Sequence, residues 1–154
     1  MSLQIVFFES YHASQFRDLN LEWLNRYFSV EPKDRELLDN PKEAILDKGG
    51  FIFMAEWKQA VAGCYAFLPF EKDIFELGKM AVDANYQGLQ IGQRLLEHAI
   101  AFARNNGWKK IVLYSNSKLD TALYIYGKFG FREVPLEDNL PYARSDIKME
   151  LNLD

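Results

Sequence analysis

Tyr126 and its neighbours offer the first chemistry in the chain. In Ala122-Leu123-Tyr124-Ile125-Tyr126-Gly127-Lys128-Phe129-Gly130-Phe131, helical spacing puts Tyr126 on the face shared by Leu119, Ala122 and Phe129. A phenol turned toward a core needs a hydrogen-bond partner, and it can also donate a proton to a departing thiolate. Earlier, the apolar run at 75–82 passes through Asp83-Ala84-Asn85-Tyr86 into Gln87-Gly88-Leu89-Gln90-Ile91-Gly92 and then a helical pattern. A turn that opens directly into a helix leaves several amide N–H groups without intrahelical partners, and these favour a phosphate together with the helix dipole. The turn is therefore expected to seat the diphosphate of a nucleotide-like cofactor. Gly78, inside the run, marks a bulge or a close approach of another group. A bulge there leaves amides and carbonyls to which an extended amide-bearing arm can add like another strand. The pantetheine arm of coenzyme A is such a group.

The elements that must hold these residues follow from periodicity. A short apolar run at 3–8 suits a first strand, and Ser14 is placed to cap a helix carrying Phe16, Leu19, Trp23, Leu24 and Tyr27. Short helices follow Pro32 and Pro41, the first stopped by Asn40-Pro41 and the second by Gly49-Gly50. Strands at 51–56 and 59–67 meet at a polar turn, with Ala60, Ala62, Cys64 and Ala66 forming a small-residue face for a helix and Pro69 ending the run. With 75–82 they make an antiparallel meander, because the connections are too short for crossovers. The helix after Gly92 buries Leu95, Leu96, Ala99, Phe102 and Ala103, leaves His98 solvated among charges, and stops at Asn106-Gly107. It links 75–82 to a strand at 111–114 as a βαβ unit. The Tyr126 helix, a strand at 131–134 and a half-exposed strand ending the chain complete one α+β domain over 1–154, with a mixed, mostly antiparallel sheet.

Composition narrows the function classes. A hydrophobic fraction of 49% with 26% charged residues excludes disordered and fibrous classes. A net charge of −4 without a basic tract argues against nucleic-acid binding. The single cysteine, Cys64, excludes an internal disulfide and supplies no metal cluster; its apolar setting suits a buried structural thiol. The first six residues lack a charged segment leading into a long apolar one, and no stretch approaches the ~20 apolar residues of a membrane span. A cytoplasmic protein without membrane partners is expected.

Glu76-Leu77-Gly78-Lys79-Met80-Ala81-Val82, Gln87-Gly88-Leu89-Gln90-Ile91-Gly92 and Tyr126-Gly127-Lys128-Phe129-Gly130-Phe131 together resemble the acyl-CoA-binding and C-terminal motifs of the GNAT superfamily of N-acetyltransferases. The resemblance covers 51–134 and implies the acyl-CoA N-acyltransferase fold, in which a bulged strand splits the sheet. It also implies direct acetyl transfer from acetyl-CoA to a primary amine of a small-molecule or amino-acid-like acceptor. Residue by residue, the family's Arg/Gln-x-x-Gly-x-Gly/Ala loop falls on Gln87, Gly88, Leu89, Gln90, Ile91 and Gly92, followed by Gln93. Gln90 stands where the family has its first glycine, so its side chain narrows the approach to the phosphate unless φ is negative. The backbone of Met80 and Val82 would pair with the pantetheine, and the amide of Met80 or Ala81 would face the oxyanion. Leu119 replaces an asparagine found near the cofactor in many members. Tyr126 falls on the general-acid tyrosine and Glu76 on the general-base glutamate of the histone-acetylating branch. Trp23, Tyr27, Glu31, Asp34, Tyr142 and Arg144 lie in segments that usually cover the acceptor; Glu31 or Asp34 would hold a cationic substrate, Arg144 an acidic one. Most of these charges are expected to be plain surface groups. A homodimer is compatible with the resemblance. The alternative from another class is a non-catalytic acyl-CoA-binding or sensing module.

Overall fold

Seven strands and five α-helices, described for residues 3–154 in a computed structural model, are arranged by where the sequence can bury its apolar alternation. Met1 and Ser2, where the leader reading begins, lie outside the described residues. The strands are β1 (Leu3–Phe7), β2 (Phe51–Trp57), β3 (Ala60–Glu71), β4 (Ile74–Val82), β5 (Lys110–Ser115), β6 (Arg132–Val134) and β7 (Ile147–Asn152). The helices are α1 (Ala13–Tyr27), α2 (Pro32–Asp39), α3 (Pro41–Ala44), α4 (Ile91–Asn105) and α5 (Asp120–Lys128). The sheet runs β1-β2-β3-β4-β5-β7-β6, antiparallel except for the β4–β5 pair that α4 bridges. The expected βαβ unit and mixed sheet are both present.

Each face of the sheet carries a core. On one, Phe53, Tyr65 and Phe67 pack with Leu95, Leu96 and Ala99 of α4. On the other, Phe16 and Leu24 of α1 and Leu37 and Leu38 of α2 pack against Met54, Cys64 and Ala66. Burying large aromatic and aliphatic side chains on both faces contributes roughly 1.5–3 kcal/mol apiece and fixes the register of the middle strands.

Several local expectations are corrected. Ser14 does not cap α1; a 3₁₀ turn at Ser10–His12 precedes the helix, and the Glu9 amide donates to Nδ1 of His12 at 2.9 Å. The small-residue face is not continuous, because the register shifts where Ala55 faces Gly63 and Glu56 faces Val61. That bulge turns Ala62 toward α4 while Cys64 and Ala66 face α1. Pro69 does not end β3. β2 starts at Phe51, opposite Phe67, so beyond that point β3 has a neighbour only on the β4 side, where proline is tolerated. The last strand is more buried than expected, because β6 pairs with its outer side and makes β7 internal. His98 is not solvated: it is half-buried with Nδ1 2.8 Å from the Tyr65 hydroxyl, and burial pushes its pKa down.

Candidate active site

The cleft begins where two parallel strands part. β4 and β5 pair only from Ile74/Lys110 to Glu76/Val112; afterwards β4 stays with β3 and β5 with β7. The edge of β4 that faces the gap therefore has no partner strand beyond Glu76. On its other side the register slips, Ala66 facing Gly78 but Cys64 facing Ala81, so Lys79 and Met80 form the bulge. The expected bulge is present, but its left-handed residue is Lys79 at φ 52°, not Gly78. A cavity of about 630 Å³ fills the gap, with 77–80 on one wall, 113–116 on the other and the start of α5 beneath.

At the far end of β4, Asp83 accepts the Asn85 amide at 2.8 Å and turns the chain toward α4. Gln87, Gly88, Leu89 and Gln90 are exposed. The first helical bond closes from the Arg94 amide to the Gln90 carbonyl at 3.0 Å, which leaves the amides of Ile91, Gly92 and Gln93 without intrahelical acceptors. Gln90 sits at φ 60°, ψ 26°, the left-handed conformation glycine adopts freely, so the residue keeps the loop's shape at a cost of roughly 1–2 kcal/mol.

Tyr126 and Glu76 both line the cleft, with Met80 and Leu119. Tyr126 packs on Phe131, its ring against the α4-side core, and burial raises its pKa. Its hydroxyl makes no hydrogen bond among the described residues. Glu76 is half-buried rather than a solvated strand-end carboxylate, and it too is unpartnered among the described residues. Burial raises its carboxyl pKa, with Lys79 pulling it part of the way back.

The charges expected at the surface of the acceptor side are largely withdrawn into one network. Asp34 is fully buried and accepts from Lys79 Nζ at 2.7 Å and from both terminal nitrogens of Arg144 at 2.8 and 2.7 Å. Glu31 accepts from Arg144 at 3.2 Å and from the Ala143 amide at 2.9 Å. Tyr142 accepts from Lys79 at 3.0 Å and lies under both cations, with Lys79 Nζ 4.6 Å and the Arg144 guanidinium carbon 4.2 Å from its ring centre. Burial pushes Asp34 up, but bonds from Arg144 and Lys79 outweigh it and bring the carboxyl down to about 2. Burial likewise lowers Lys79 against the pull of Asp34. Trp23, Tyr27, Tyr142 and Arg144 line the cleft, whereas Glu31 and Asp34 stand behind them, bonded to Arg144. Lys79 was missed in the sequence, although a lysine inside an otherwise apolar strand is a signal of a paired, buried charge.

A chain with this split sheet and open helix start matches the Acetyltransferase (GNAT) family over residues 17–131, and it belongs to that family. An acetyltransferase of the GNAT family from Staphylococcus aureus Mu50 superposes with a TM-score of 0.87 at 23% identity, covering 99% of this chain and 100% of that one. A Bacillus subtilis acetyltransferase solved in complex with CoA gives a TM-score of 0.76 at 21% identity, with 99% of both chains covered. Human N-acetyltransferase 8B is 24% identical over 103 residues, which are 64% of this chain and 45% of that protein. The chain thus spans about half the length of the curated relatives it matches. Among the described residues no helix is long and apolar enough to cross a membrane.

Proposed function

We propose that the chain is a single cytoplasmic domain that transfers an acetyl group from acetyl-CoA directly to a primary amine of a small-molecule or amino-acid-like acceptor. The observation that carries the reading is the parting of β4 and β5 after Glu76 and Val112, beside the open start of α4. The residues suit the cofactor. The unpaired edge of β4 offers the backbone of Met80, Ala81 and Val82 to an amide-bearing arm. Gly88 has nothing within 4 Å of where a Cβ would stand, and Gly92 only Val82 Cγ2 at 3.9 Å, so the turn is open to a diphosphate. The amides of Ile91, Gly92 and Gln93 would hold it, with Gln87, Leu89 and Gln90 around it. Leu119, at the N-terminal end of α5, would contribute only apolar contact.

When bound, acetyl-CoA supplies an acyl group activated by a thiol leaving group. The chain's own groups manage the protons and the charge. An ammonium of pKa ~10 must lose a proton before it can attack. Glu76, held above the ordinary carboxylate range by burial, takes that proton at its carboxylate. Tyr126 stays protonated because burial raises it, so its hydroxyl hydrogen is available to the sulfur. The Met80 amide, inside the bulge, is the donor for the acyl oxygen. Trp23, Tyr27, Tyr142 and Arg144 wall the acceptor side.

Calorimetry with acetyl-CoA followed by a thiol-release assay over a panel of primary amines tests the reading. Binding with release supports transfer. Binding without release from any amine replaces it with an acyl-CoA-sensing module, and absence of binding removes both.

A further inference from the structure

We propose that the acceptor reaches Glu76 through a second cavity, of about 290 Å³, built for the ammonium end of a cationic alkylamine. The inference rests on the transferase reading above. The cavity shares Glu76, Tyr114, Tyr142 and Ser145 with the main cleft and adds Phe70 and Glu137 among others, so Glu76 stands on the wall common to both. Its carboxylate has no ion-pair or hydrogen-bond partner among the described residues. The other carboxylate lining this second cavity is engaged. Glu137 accepts from the Tyr114 hydroxyl at 2.8 Å and from Lys148 at 2.7 Å, and Asp34 and Glu31 hold Arg144. Glu76 is thus the acid with an open place for a cation.

The walls favour the same ligand. Phe70, Tyr114 and Tyr142 present aromatic rings, whose faces attract an ammonium that has left water. The protein already contains this arrangement: Lys148 Nζ, an ammonium on an alkyl chain, stands 5.0 Å from the Phe70 ring centre and 5.8 Å from that of Tyr114. The cavity has room for an alkyl chain of several carbons. Among the described residues no lysine or arginine lines this second cavity, and Lys148 beside it is held by Glu137, so an anionic acceptor finds no free cation there. The amine end meets Glu76 and its tail leaves past Phe70 and the half-exposed Glu137. A positive or neutral tail finds aromatic rings there, whereas a carboxylate tail finds no unpaired cation, since Glu137 already holds Lys148.

Two probes of equal chain length test this, 1,4-diaminobutane and 4-aminobutanoate. The diamine is expected to be acetylated with at least tenfold higher kcat/KM. Phe70→Leu keeps the bulk and removes the ring, and it should raise KM for the diamine about tenfold with KM for acetyl-CoA unchanged. Ligand-observed NMR with 1,4-diaminobutane separates the cavity from the chemistry. Binding that weakens in Phe70→Leu without any acetyl transfer by the wild-type protein removes the transferase reading and keeps the cavity. Equal turnover of the two probes, or an unchanged KM in a folded Phe70→Leu protein, overturns the cavity's role.

Discussion

Asp34→Asn removes one charge from a buried cluster while keeping its shape. In the native protein Asp34 accepts from Lys79, from both terminal nitrogens of Arg144 and from the Glu31 amide. Burial alone would raise its carboxyl, yet the bonds from Arg144 and Lys79 bring it from an ordinary 3.8 to about 2. That difference corresponds to roughly 2–3 kcal/mol of folded-state stabilisation. Because the folded value lies below the unfolded one, the stabilisation is complete above pH ~5 and fades as pH falls toward 2. Substitution also strands Lys79, whose side chain is 7% exposed, and Arg144 at 16%. Removing one partner of a buried pair costs about 3–5 kcal/mol; some hydration of Arg144 puts the expected loss near the lower end. At about 2–4 °C per kcal/mol for a chain of this size, a 3 kcal/mol loss lowers Tm by about 6–12 °C. Thermal melts followed by circular dichroism at pH 7, 4 and 2.5 measure it. The gap between wild type and variant should narrow on acidification, as protonation of Asp34 removes the same charge. A loss under about 1 kcal/mol at pH 7, or a gap that stays constant to pH 2.5, would refute the view that charge pairing holds this cluster.

Tyr126→Phe should lower turnover by ~10²-fold or more with little change in acetyl-CoA affinity measured by calorimetry; an unchanged rate takes the phenol out of the mechanism. Since Glu76 must be ionised to accept a proton and burial raises its carboxyl, kcat/KM for the amine should fall on acidification with a midpoint above the ordinary glutamate range. Glu76→Gln should lower the rate ~10²-fold and abolish that limb, and a surviving limb would assign it elsewhere. Gln90→Gly should relieve the left-handed strain at φ 60°, partly offset by glycine's entropy, for a net gain of up to about 1 kcal/mol without weaker acetyl-CoA binding. A lower Tm for this variant contradicts that account.

The sequence was most legible where local pattern and tertiary structure agree. The apolar run into β4, the turn at 87–92 and the periodicity of α4 are local signals, and they located the split strand and the helix start that frame the cleft. The Tyr126 helix was found in the same way. What stayed hidden depends on partners far away in the chain. A bulge beside Gly78 was foreseen, but nothing near Lys79 announces that it takes the left-handed position and that its charge meets Asp34, 45 residues earlier. His98 reads as a surface residue of α4 until Tyr65, on β3, meets it. The Ala62 bulge divided the small residues between the two faces, since a one-residue slip exchanges the faces of a strand. Glu76 could be named as a candidate base from its match to the glutamate of the histone-acetylating branch, but its lack of a partner is visible only in three dimensions.

The Asp34 cluster also bears on the order in which the protein assembles. It joins residues 45, 63 and 110 positions apart, so its bonds form only after most of the chain has been brought together. Contacts of such long separation belong late on a folding route, when the loop-closure entropy of the β-sheet has already been met. Asp34→Asn is therefore expected to speed unfolding far more than it slows folding, with most of its effect on the unfolding arm of a denaturant chevron. Lys79 is both the left-handed residue of the β4 bulge and a member of the cluster, so a single side chain ties the cofactor wall to the acceptor wall.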